Sequence, residues 1–298
     1  MDTWRLINTG FISAVDNMTL DHVLLNSRDN DQSEDILRLM FFKGDTALVG
    51  FHQCVDLEID VDFCQENNIE INRRLTGGGA ILMQPCHIGF EIICGSPEYL
   101  AGPDKRNLYR KFSEPVVSTL RKMGLNAAYR PVNDIEIDGR KVSGTGGVDG
   151  KKAFLFHGSI LLDMDLEKML QVLKIPLEKI SDKTLGSIRE RMTTLNSELN
   201  TQVDMDEVLK LLTAEFASHL DLNFREDNLT EQEVTQYNEL RSTYSDDKWI
   251  NKVKMPASAR ETIVGIHKAP GGLIRTALVV DHRSRQIQSA LVSGDFFT

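Results

Sequence analysis

The sequence predicts a mixed α/β (α+β) fold in which a largely antiparallel sheet packs against helices. Candidate strands follow one another mostly through short turns, and candidate helices are inserted between groups of strands. A doubly wound parallel sheet is disfavoured because it would need a crossover, usually a helix, between neighbouring strands. With 298 residues, the chain is long enough for one large domain and a small second unit.

The first predicted elements are a short strand, a helix and a hairpin. Apolar residues recur at helical spacing over residues 14–27, and Ser13 stands before them as a candidate N-cap. The apolar runs 36–42 and 46–50 are separated by a Lys-Gly-Asp turn sequence. These runs predict two strands joined in a hairpin directly after the first helix.

The middle of the chain contains the clearest local signal. Residues 80–83 and 88–94 predict strands, and residues 104–123 predict a long helix. Over residues 133–144, apolar and polar residues alternate on either side of Asp138-Gly139, a pair that favours a two-residue turn. We therefore predict a hairpin with one buried face at this point.

A further strand and two helices complete the first unit. Residues 154–163 predict the strand, and residues 165–173 and 204–220 predict the helices. The polar segment 221–233 is interpreted as a linker.

The linker divides the chain into two predicted domains. The first, residues 1–225, is large enough to hold a catalytic core, and the second, residues 232–298, is a small α/β appendage. Within the appendage, the sequence predicts a helix near 231–243 and strands near 259–266, 273–280 and 286–292.

The charge balance excludes a broad nucleic-acid surface. The formal net charge is −10, whereas phosphate backbones are bound by clustered Lys and Arg. The amino terminus lacks the pattern of a secretory signal, and no stretch approaches the roughly 20 apolar residues that span a bilayer. We therefore expect a cytoplasmic monomer with no nucleic-acid and no membrane partner.

The cysteines predict neither a zinc ribbon nor a disulfide scaffold. The chain has four, Cys54, Cys64, Cys86 and Cys94, and no two of them form a CxxC pair. We expect reduced and mostly buried thiols.

A glycine-rich loop follows two adjacent arginines. Residues 73–80 read Arg-Arg-Leu-Thr-Gly-Gly-Gly-Ala. Glycines let a ligand approach the backbone, free N–H groups suit phosphate oxygens, and guanidinium groups add permanent charge. A glycine run before a strand is as often a turn or a bulge, so this segment alone leaves both interpretations open. It lacks the spacing of a P-loop or a Rossmann fingerprint.

Lys141 follows the predicted hairpin turn and precedes a second loop that contains Ser143 and Gly144. An ammonium group here could contact an acyl carboxylate and an α-phosphate together, and it would stabilise the charge that develops as the carboxylate attacks. Taken in isolation, the residue is more often a solvated surface lysine. The same interpretation is preferred for Lys151 and Lys152.

Histidines provide two weaker candidates. His157 lies in an apolar run, where a single histidine is more often a core residue than a catalytic one. Cys86 and His87 suggest a thiol and imidazole pair, but neighbours in a strand point to opposite faces. We therefore do not favour a cysteine nucleophile.

Taken in this order, the motifs resemble those of the lipoate–protein ligase family within the biotin and lipoate ligase superfamily. The family's Arg-Arg-x-Ser/Thr-Gly-Gly-Gly-Ala motif is matched by residues 73–80, and its Asn-Asp strand by Asn133-Asp134. Its Lys-x-Ser-Gly loop is matched by residues 141–144, and its His-Gly-Ser/Thr-x-Leu strand by residues 157–161. Residues 187–192 are similar to a further Ser-x-x-x-Arg stretch.

The resemblance covers nearly the whole chain, since residues 244–249, 271–274 and 293–297 resemble the accessory domain of these ligases. It implies a first step in which ATP and lipoate or octanoate give acyl-AMP and pyrophosphate. In the implied second step, the acyl group is transferred to a lysine of a lipoyl carrier domain or an H-protein-like acceptor. Mg²⁺ is expected with the nucleotide.

The resemblance also implies roles for individual residues. Lys141 corresponds to the catalytic lysine that contacts both the acyl carbonyl and the phosphate. The implied nucleotide-binding residues are Arg74, Gly79, Ala80, Ile81, Leu82 and Lys141. The implied acyl-binding residues are Arg74, Thr76, Gly77, Gly78, Lys141, Ser143, Gly144, His157 and Gly158. Asn133 and Asp134 are candidates for contact with Mg²⁺.

One stretch departs from the family's pattern. Where the family often has Phe-His-Asp-x-Gly-Asn, residues 82–87 read Leu-Met-Gln-Pro-Cys-His. This departure is the main support for a different interpretation, a non-catalytic protein that binds an acyl group or a carrier.

An ATP-independent octanoyl or lipoyl transferase is the alternative enzyme. Related transferases use a cysteine thioester, yet the two regions where their cysteine is expected, residues 127–132 and 175–177, contain none. A biotin ligase is disfavoured because the glycine run and the tail resemble lipoate ligases more closely.

Overall fold

A computed structural model describes residues 2–102, 104–174, 188, 190–256, 262–269, 272–281, 283–284 and 286–296. Within these ranges the chain forms one large mixed sheet, two small sheets and surrounding helices, so the predicted fold class is confirmed. Across the same ranges, no helix combines the length and the apolar character needed to cross a bilayer.

The strands, in chain order, are β1 (Asp2–Ile12), β2 (Ile36–Phe42), β3 (Thr46–Val49), β4 (Glu70–Arg73), β5 (Ile81–Met83), β6 (His87–Gly95), β7 (Ala127–Arg130), β8 (Asp134–Ile137), β9 (Arg140–Asp149), β10 (Ala153–Leu161), β11 (Leu222–Asp227), β12 (Thr262–Ala269), β13 (Gly272–Asp281) and β14 (Gln286–Gly294). The helices are α1 (Ala14–Asp29), α2 (Val55–Glu58), α3 (Val61–Glu66), α4 (Glu98–Ala101), α5 (Lys105–Lys122), α6 (Leu166–Val172), α7 (Leu195–Leu199), α8 (Met205–Leu220), α9 (Glu231–Ser245) and α10 (Asp247–Ile250).

The large sheet has the strand order β11-β1-β2-β6-β10-β9-β8-β7. β1 pairs in parallel with β2 and β11, and the other neighbours are antiparallel. On β10, Phe154 and Phe156 face the main core, which includes Phe112 of α5 and Phe216 of α8. The alternate residue Leu155 packs on the other face with residues of α1. The candidate site lies on this second face.

The first predicted helix is confirmed, but the hairpin predicted after it is wrong. Ser13 caps α1 by accepting a hydrogen bond from the backbone N–H of Asp16. β2 lies in the large sheet with both edges occupied by β1 and β6, whereas β3 pairs with β4 and β5 in a separate small sheet. One partner of β2, β1, comes before the first helix, and the other, β6, comes about 50 residues later. The turn sequence after β2 therefore could not reveal which strands β2 pairs with.

The hairpin predicted over residues 133–144 is confirmed as β8 and β9. Asp138 and Gly139 have φ angles of +48° and +80°, as a type I′ turn requires. The apolar residues Ile135, Ile137 and Val142 are buried. This hairpin holds Lys141 at a defined position one residue after the start of β9.

The polar segment interpreted as a linker instead contains β11, an edge strand parallel to β1. Its polar residues are exposed because only one edge and one face of this strand are covered. Thr230 and Glu233 then form a capping box that begins α9. The Glu233 carboxylate accepts hydrogen bonds from the buried guanidinium of Arg5 at 2.6 and 2.9 Å. The division into domains at residues 225–232 stays a prediction.

The three strands predicted near the carboxyl terminus are present as β12, β13 and β14, and they pair in an antiparallel sheet. Large apolar side chains on this sheet are exposed, including Ile263, Ile266 and Ile287. The sheet contacts the rest of the protein at the start of β13, where Arg275 Nε donates to Glu58 Oε1 at 2.8 Å.

Candidate active site

Arg74 supports the glycine-rich loop from within the protein. It is buried, and its guanidinium donates to the carbonyl oxygens of Gly77 at 3.2 Å, Gly79 at 2.9 Å and Leu48 at 2.9 Å. Because the C=O and N–H of a peptide point in opposite directions, this arrangement directs the N–H groups that follow the two glycine carbonyls away from Arg74. Burial lowers the pKa of Arg74 to about 10, so the group stays charged at neutral pH. Arg74 therefore shapes the loop, and its contact with a ligand stays a prediction.

Arg73 faces the carboxyl-terminal part of the chain. Its buried guanidinium donates to the carbonyl oxygens of Gly50 at 2.9 Å, Phe51 at 3.0 Å and Ile250 at 2.8 Å. The indole N–H of Trp249 donates back to Arg73 O at 3.2 Å. Arg73 thus joins the segment after β3 to α10, and it is not oriented to bind an anion as the sequence pattern suggested.

Thr76 and His157 meet across the loop and β10. Thr76 Oγ1 lies 3.1 Å from His157 Nε2, within hydrogen-bond distance. A Cβ on the neighbouring Gly146 would lie only 3.0 Å from the same nitrogen, so a larger residue there would push against the imidazole. Burial and the charge of Arg74 lower the pKa of His157 to about 3. The imidazole is therefore neutral and acts as a polar contact beside the loop.

Lys141 lies at the open end of the same region. Its Nζ is 2.7 Å from Asp134 Oδ1, and about one third of its side chain is exposed. The ammonium also lies directly over Gly144, where a Cβ would be 3.0 Å from Nζ. Its backbone is fixed by hydrogen bonds to Arg191 O at 2.7 Å and from Thr193 N at 2.9 Å. These contacts hold the ammonium of Lys141 close to the backbone of Gly144, which no side chain covers.

One face of β9 has no side chains at Gly144 and Gly146. This face, named the β9 groove, begins under Lys141 and passes beneath Thr76 and His157. Gly144, Gly146 and Val148 share this face because side chains alternate along a strand. The distance from Gly144 to Val148 is roughly 13 Å, at about 3.3 Å per residue. At the far end lies a cavity of about 240 Å³ lined by His22, Leu25, Phe51, His52, Leu75, Gly77, Gly147, Val148 and Asp149. Lys141 and this cavity therefore lie at opposite ends of the same face of β9.

Asp134 and Asn133 offer few side-chain oxygen atoms to a cation, because both side chains already have partners. Asp134 is shared between Lys141 and Arg130. The side-chain N–H of Asn133 donates to Thr145 O at 2.8 Å, so its amide oxygen is oriented away from that contact. Mg²⁺ is commonly held by one or two carboxylates together with substrate phosphates. These residues fit Mg²⁺ only where phosphate oxygens complete its coordination.

Several residues predicted to bind ligands have side chains that face the protein interior. Leu82 packs in the apolar cluster beside β3, and Ser143 is fully buried. A Cβ on Gly158 would lie 2.3 Å from the ring of Phe90. Ile81 is partly exposed at the start of β5. Leu82 and Ser143 can therefore contact a ligand through their backbone only, as Gly158 must in any case.

Cys86 and His87 contact the same carbonyl oxygen, that of Asp163, at 3.4 and 3.0 Å. Cys86 lies in the turn before β6, so the strand rule does not separate the two side chains. His87 Nε2 donates to this carbonyl, and Nδ1 accepts from Gln84 N at 3.2 Å. Both ring nitrogens are thus occupied, and burial lowers the pKa of His87 to about 4. This histidine is not placed to deprotonate Cys86.

A buried ionic network below the site was not predicted. Arg38 donates to Asp21 Oδ1 and Glu91 Oε2, both at 2.9 Å, and the three side chains are fully buried. The side-chain atoms of Asp21, Glu91 and His157 that could bind a metal ion lie within 4.8 Å of one another. Burial and the charge of Glu91 raise the pKa of Asp21. The only sequence signal for this network was a single arginine within the apolar run 36–42.

The carboxyl-terminal tip, residues 294–296, lies against the outer side of the glycine-rich loop. A Cβ on Gly79 would lie 3.8 Å from Asp295 Cβ. Phe296 stacks on His52 with ring centroids 4.9 Å apart, and Gly294 N donates to His52 O at 3.1 Å. The tip therefore lies against the predicted nucleotide-binding segment.

Parts of the motifs fall outside the described residues. Ser187 and Arg189 of the stretch 187–192 do so, as do Gly271 and Phe297 of the tail. The segment 175–177, where a transferase cysteine was considered, is also outside them.

The mixed sheet brings a glycine loop, held by Arg74, against the strand that carries Lys141, and comparison with known sequences identifies the family. Residues 13–217 match the family described as lipoyl protein ligase A/B catalytic domain. This match spans more than half of the chain. The protein belongs to this family.

The relatives include two kinds of enzyme. The chain is 33% identical over 223 residues to lipoate-protein ligase A subunit 1 of Thermoplasma acidophilum, covering 71% of this chain and 83% of that protein. It is 26% identical over 272 residues to octanoyltransferase LipM of Bacillus subtilis, covering 83% and 98%. Membership of the family is thus compatible with a ligase or an octanoyltransferase.

Solved structures resemble the whole arrangement. A bi-partite lipoate protein ligase of Thermoplasma acidophilum, described with its E2 lipoyl domain, has a TM-score of 0.75 and 30% identity and covers 87% of this chain and 99% of that one. A lipoate-protein ligase A bound with ATP has a TM-score of 0.71 and 28% identity, covering 84% and 98%.

Proposed function

We propose that this protein is an ATP-dependent lipoate–protein ligase that activates lipoate or octanoate as acyl-AMP and transfers the acyl group to a carrier lysine. The observation that carries the proposal is the groove along β9, which has the ammonium of Lys141 at one end and a largely apolar cavity at the other. The acid's carboxylate would lie at Lys141, and its chain would run past Thr76 and His157 toward the cavity. The ATP-bound structure of a relative supports the binding of ATP, which the proposal assigns to the adjoining glycine loop.

In the proposed first step, a carboxylate oxygen of the acid attacks the α-phosphorus of ATP. The bond to the bridging oxygen of the β-phosphate breaks, and pyrophosphate leaves. Lys141 would stabilise the negative charge that develops on the phosphoryl oxygens, and Asp134 holds its ammonium in position at 2.7 Å. The outward N–H groups of the loop, positioned by Arg74, would bind phosphate oxygens.

In the proposed second step, the amine of the carrier lysine attacks the acyl carbonyl and AMP leaves as the amide forms. The amine loses its proton in this step. Bound Mg²⁺ would neutralise phosphate charge, with Asp134 and Asn133 as its nearest candidate donors. A lipoyl domain or an H-protein-like protein is the proposed acceptor, supported by the archaeal ligase described with its E2 lipoyl domain.

The carboxyl-terminal part, residues 232–298, is proposed to act as an accessory domain. An adenylate must be protected from water and then exposed to the carrier, which requires an element that closes and reopens. The contacts of Asp295 and Phe296 with Gly79 and His52 support this role.

The similarity to octanoyltransferase LipM makes a cysteine thioester mechanism the competing proposal. Such a mechanism requires a reactive thiolate. Cys54, Cys64 and Cys94 are buried, and burial raises the pKa of Cys64 to about 11. Burial also raises the pKa of Cys86, the partly exposed thiol. These environments, and the absence of cysteine at residues 127–132 and 175–177, favour the ligase.

The proposal is tested by incubating the protein with ATP, Mg²⁺, lipoate and a lipoyl domain, and measuring AMP and lipoylated carrier. A parallel reaction contains octanoyl-loaded carrier and no nucleotide. We expect AMP in a one-to-one ratio with lipoylated product in the first reaction and no transfer in the second. Transfer without nucleotide, with no AMP formed from ATP, would favour the transferase, and neither activity would favour a non-catalytic binding protein.

A further inference from the structure

The cavity at the far end of the β9 groove is lined by both apolar and polar side chains. Leu25, Leu75, Phe51 and Val148 are apolar, whereas His22 of α1, His52 and Asp149 are polar. His52 stacks on Phe296, so His22 is the cavity histidine that no other ring of the described residues covers in this way. An alkyl chain without functional groups would need only apolar contacts in this cavity. A histidine at this position is therefore unexplained by the binding of a simple fatty acid.

The orientation of His22 is fixed by a residue from a different part of the chain. Its Nδ1 lies 2.8 Å from the hydroxyl of Tyr244, at the end of α9, and Tyr244 is only 2% exposed. The two rings are nearly perpendicular, with centroids 5.9 Å apart. This contact leaves Nε2 as the ring nitrogen available to a ligand in the cavity.

The chemistry of this pair assigns the proton. A phenol is a better donor than a neutral imidazole N–H, and an unprotonated imidazole nitrogen is a good acceptor, so we assign the Tyr244 hydroxyl as donor to Nδ1. Burial lowers the pKa of His22, which keeps the ring neutral. Nε2 then carries the hydrogen, and His22 presents an oriented N–H donor at the apolar end of the groove.

We propose that His22 determines acyl specificity by favouring an acid whose far end is electron-rich and polarisable, such as a cyclic disulfide, over one that ends in a methyl group. The inference rests on the proposed function, because it takes the acid's carboxylate to lie at Lys141. Divalent sulfur is a weak hydrogen-bond acceptor and packs favourably against aromatic rings, here that of Phe51. A methyl group would instead cover the N–H without bonding to it.

Two substitutions separate the donor from the rest of the ring. In His22→Asn, the amide oxygen can accept from Tyr244 as Nδ1 does, but nothing reaches the position of Nε2. In His22→Gln, the longer side chain can return an N–H donor to that position. His219→Asn, the same change at an exposed histidine of α8 that does not line the cavity, is the control.

The measurement is the dissociation constant of lipoate and of octanoate for each protein, by calorimetry without nucleotide. We expect the wild-type protein to bind lipoate more tightly than octanoate, and His22→Asn to reduce that preference by about three- to tenfold, mainly by weakening lipoate. His22→Gln should keep most of the preference, and His219→Asn should keep all of it.

A preference that is unchanged in His22→Asn, or wild-type protein that binds neither acid, would overturn the inference. Thermal unfolding of each variant checks that the Tyr244 contact has not been lost with the fold. Because these measurements contain no ATP, they are independent of adenylate formation. A protein that binds lipoate through His22 but forms no AMP would refute the proposed function and leave this inference standing.

Discussion

Replacing Lys141 with alanine should abolish adenylate formation and leave the fold intact. The side chain is one-third exposed and its ion pair with Asp134 is accessible to solvent, so its contribution to stability is about 0–1 kcal/mol. The hypothesis gives the same ammonium a role in the transition state. Removing such a group costs about a hundredfold or more in rate, roughly 2.7–4 kcal/mol of barrier. The loss of rate should therefore far exceed the loss of stability.

The structure also predicts the outcome of the conservative change. Because Nζ lies close over Gly144, with 3.0 Å to the position of a Cβ there, the larger guanidinium of Lys141→Arg would have to lie elsewhere. We expect this variant to recover only a small part of the rate. Lys151→Ala, an exposed lysine in the turn before β10, serves as the matched control and should keep the parent rate.

The assay is a single-turnover measurement of pyrophosphate release with excess enzyme, ATP and lipoate, together with urea unfolding of each variant. A Lys141→Ala protein that releases pyrophosphate at the parent rate would refute the assignment. A variant that is slow only because it is unfolded would be recognised from its unfolding curve. Tight binding of synthetic lipoyl-AMP by the folded variant would show that the groove is still formed.

Four further outcomes are expected. A variant with all four cysteines changed to serine should, if folded, keep ATP-dependent ligation of a lipoyl domain; a large loss caused by the Cys86 change alone would contradict the ligase mechanism. Truncation at residue 230 should destabilise the protein by about 3–5 kcal/mol in urea unfolding, because it removes Glu233 and leaves the buried Arg5 without it. Truncation at residue 256 should keep the fold but form the adenylate slowly, and full overall activity would contradict a role for the accessory strands. Stability should also fall as the pH is lowered from 6.5 toward 4, by up to about 1.4 kcal/mol per pH unit, because the unfolded chain protonates His87 near pH 6.5 whereas its pKa in the folded protein is about 4. His87→Gln should show a shallower pH dependence in urea titrations, and an identical slope would contradict this reasoning.

Local signals in the sequence were sufficient for elements with strong periodicity or distinctive turn residues. The helix α5 was predicted within one residue at each end, because its amphipathic pattern and the N-cap Asp104 are both local. The β8–β9 hairpin was predicted because Asp138-Gly139 determines the turn type. Lys141 and the glycine loop were recognised through their order along the chain.

Pairings between distant segments could not be predicted in the same way. β2 and β3 are separated by a good turn sequence, yet they join different sheets because their partners come from elsewhere in the chain. β11 resembled a linker because an exposed edge strand has few apolar residues. Its identity as a strand depends on the open edge of β1, more than 200 residues earlier.

The roles of buried polar residues were the least predictable part of the site. The sequence pattern suggested two arginines that face an anion, whereas Arg73 and Arg74 donate to backbone carbonyls on opposite sides of the loop. The pairing of His22 with Tyr244 joins residues 222 positions apart, and neither belongs to a recognised motif. Such contacts are specified only once the elements are packed.

The central claim, activation through an adenylate, is tested most directly by isolating the intermediate. The protein is incubated with ATP, Mg²⁺ and lipoate without a carrier, separated rapidly from small molecules, and divided between native and denaturing mass analysis. The account predicts lipoyl-AMP that accompanies the native protein, is released on denaturation, and lipoylates a carrier domain added later without further ATP. No lipoyl-AMP and no AMP from the folded protein, together with an octanoyl group covalently attached to a cysteine after incubation with octanoyl-loaded carrier, would contradict it.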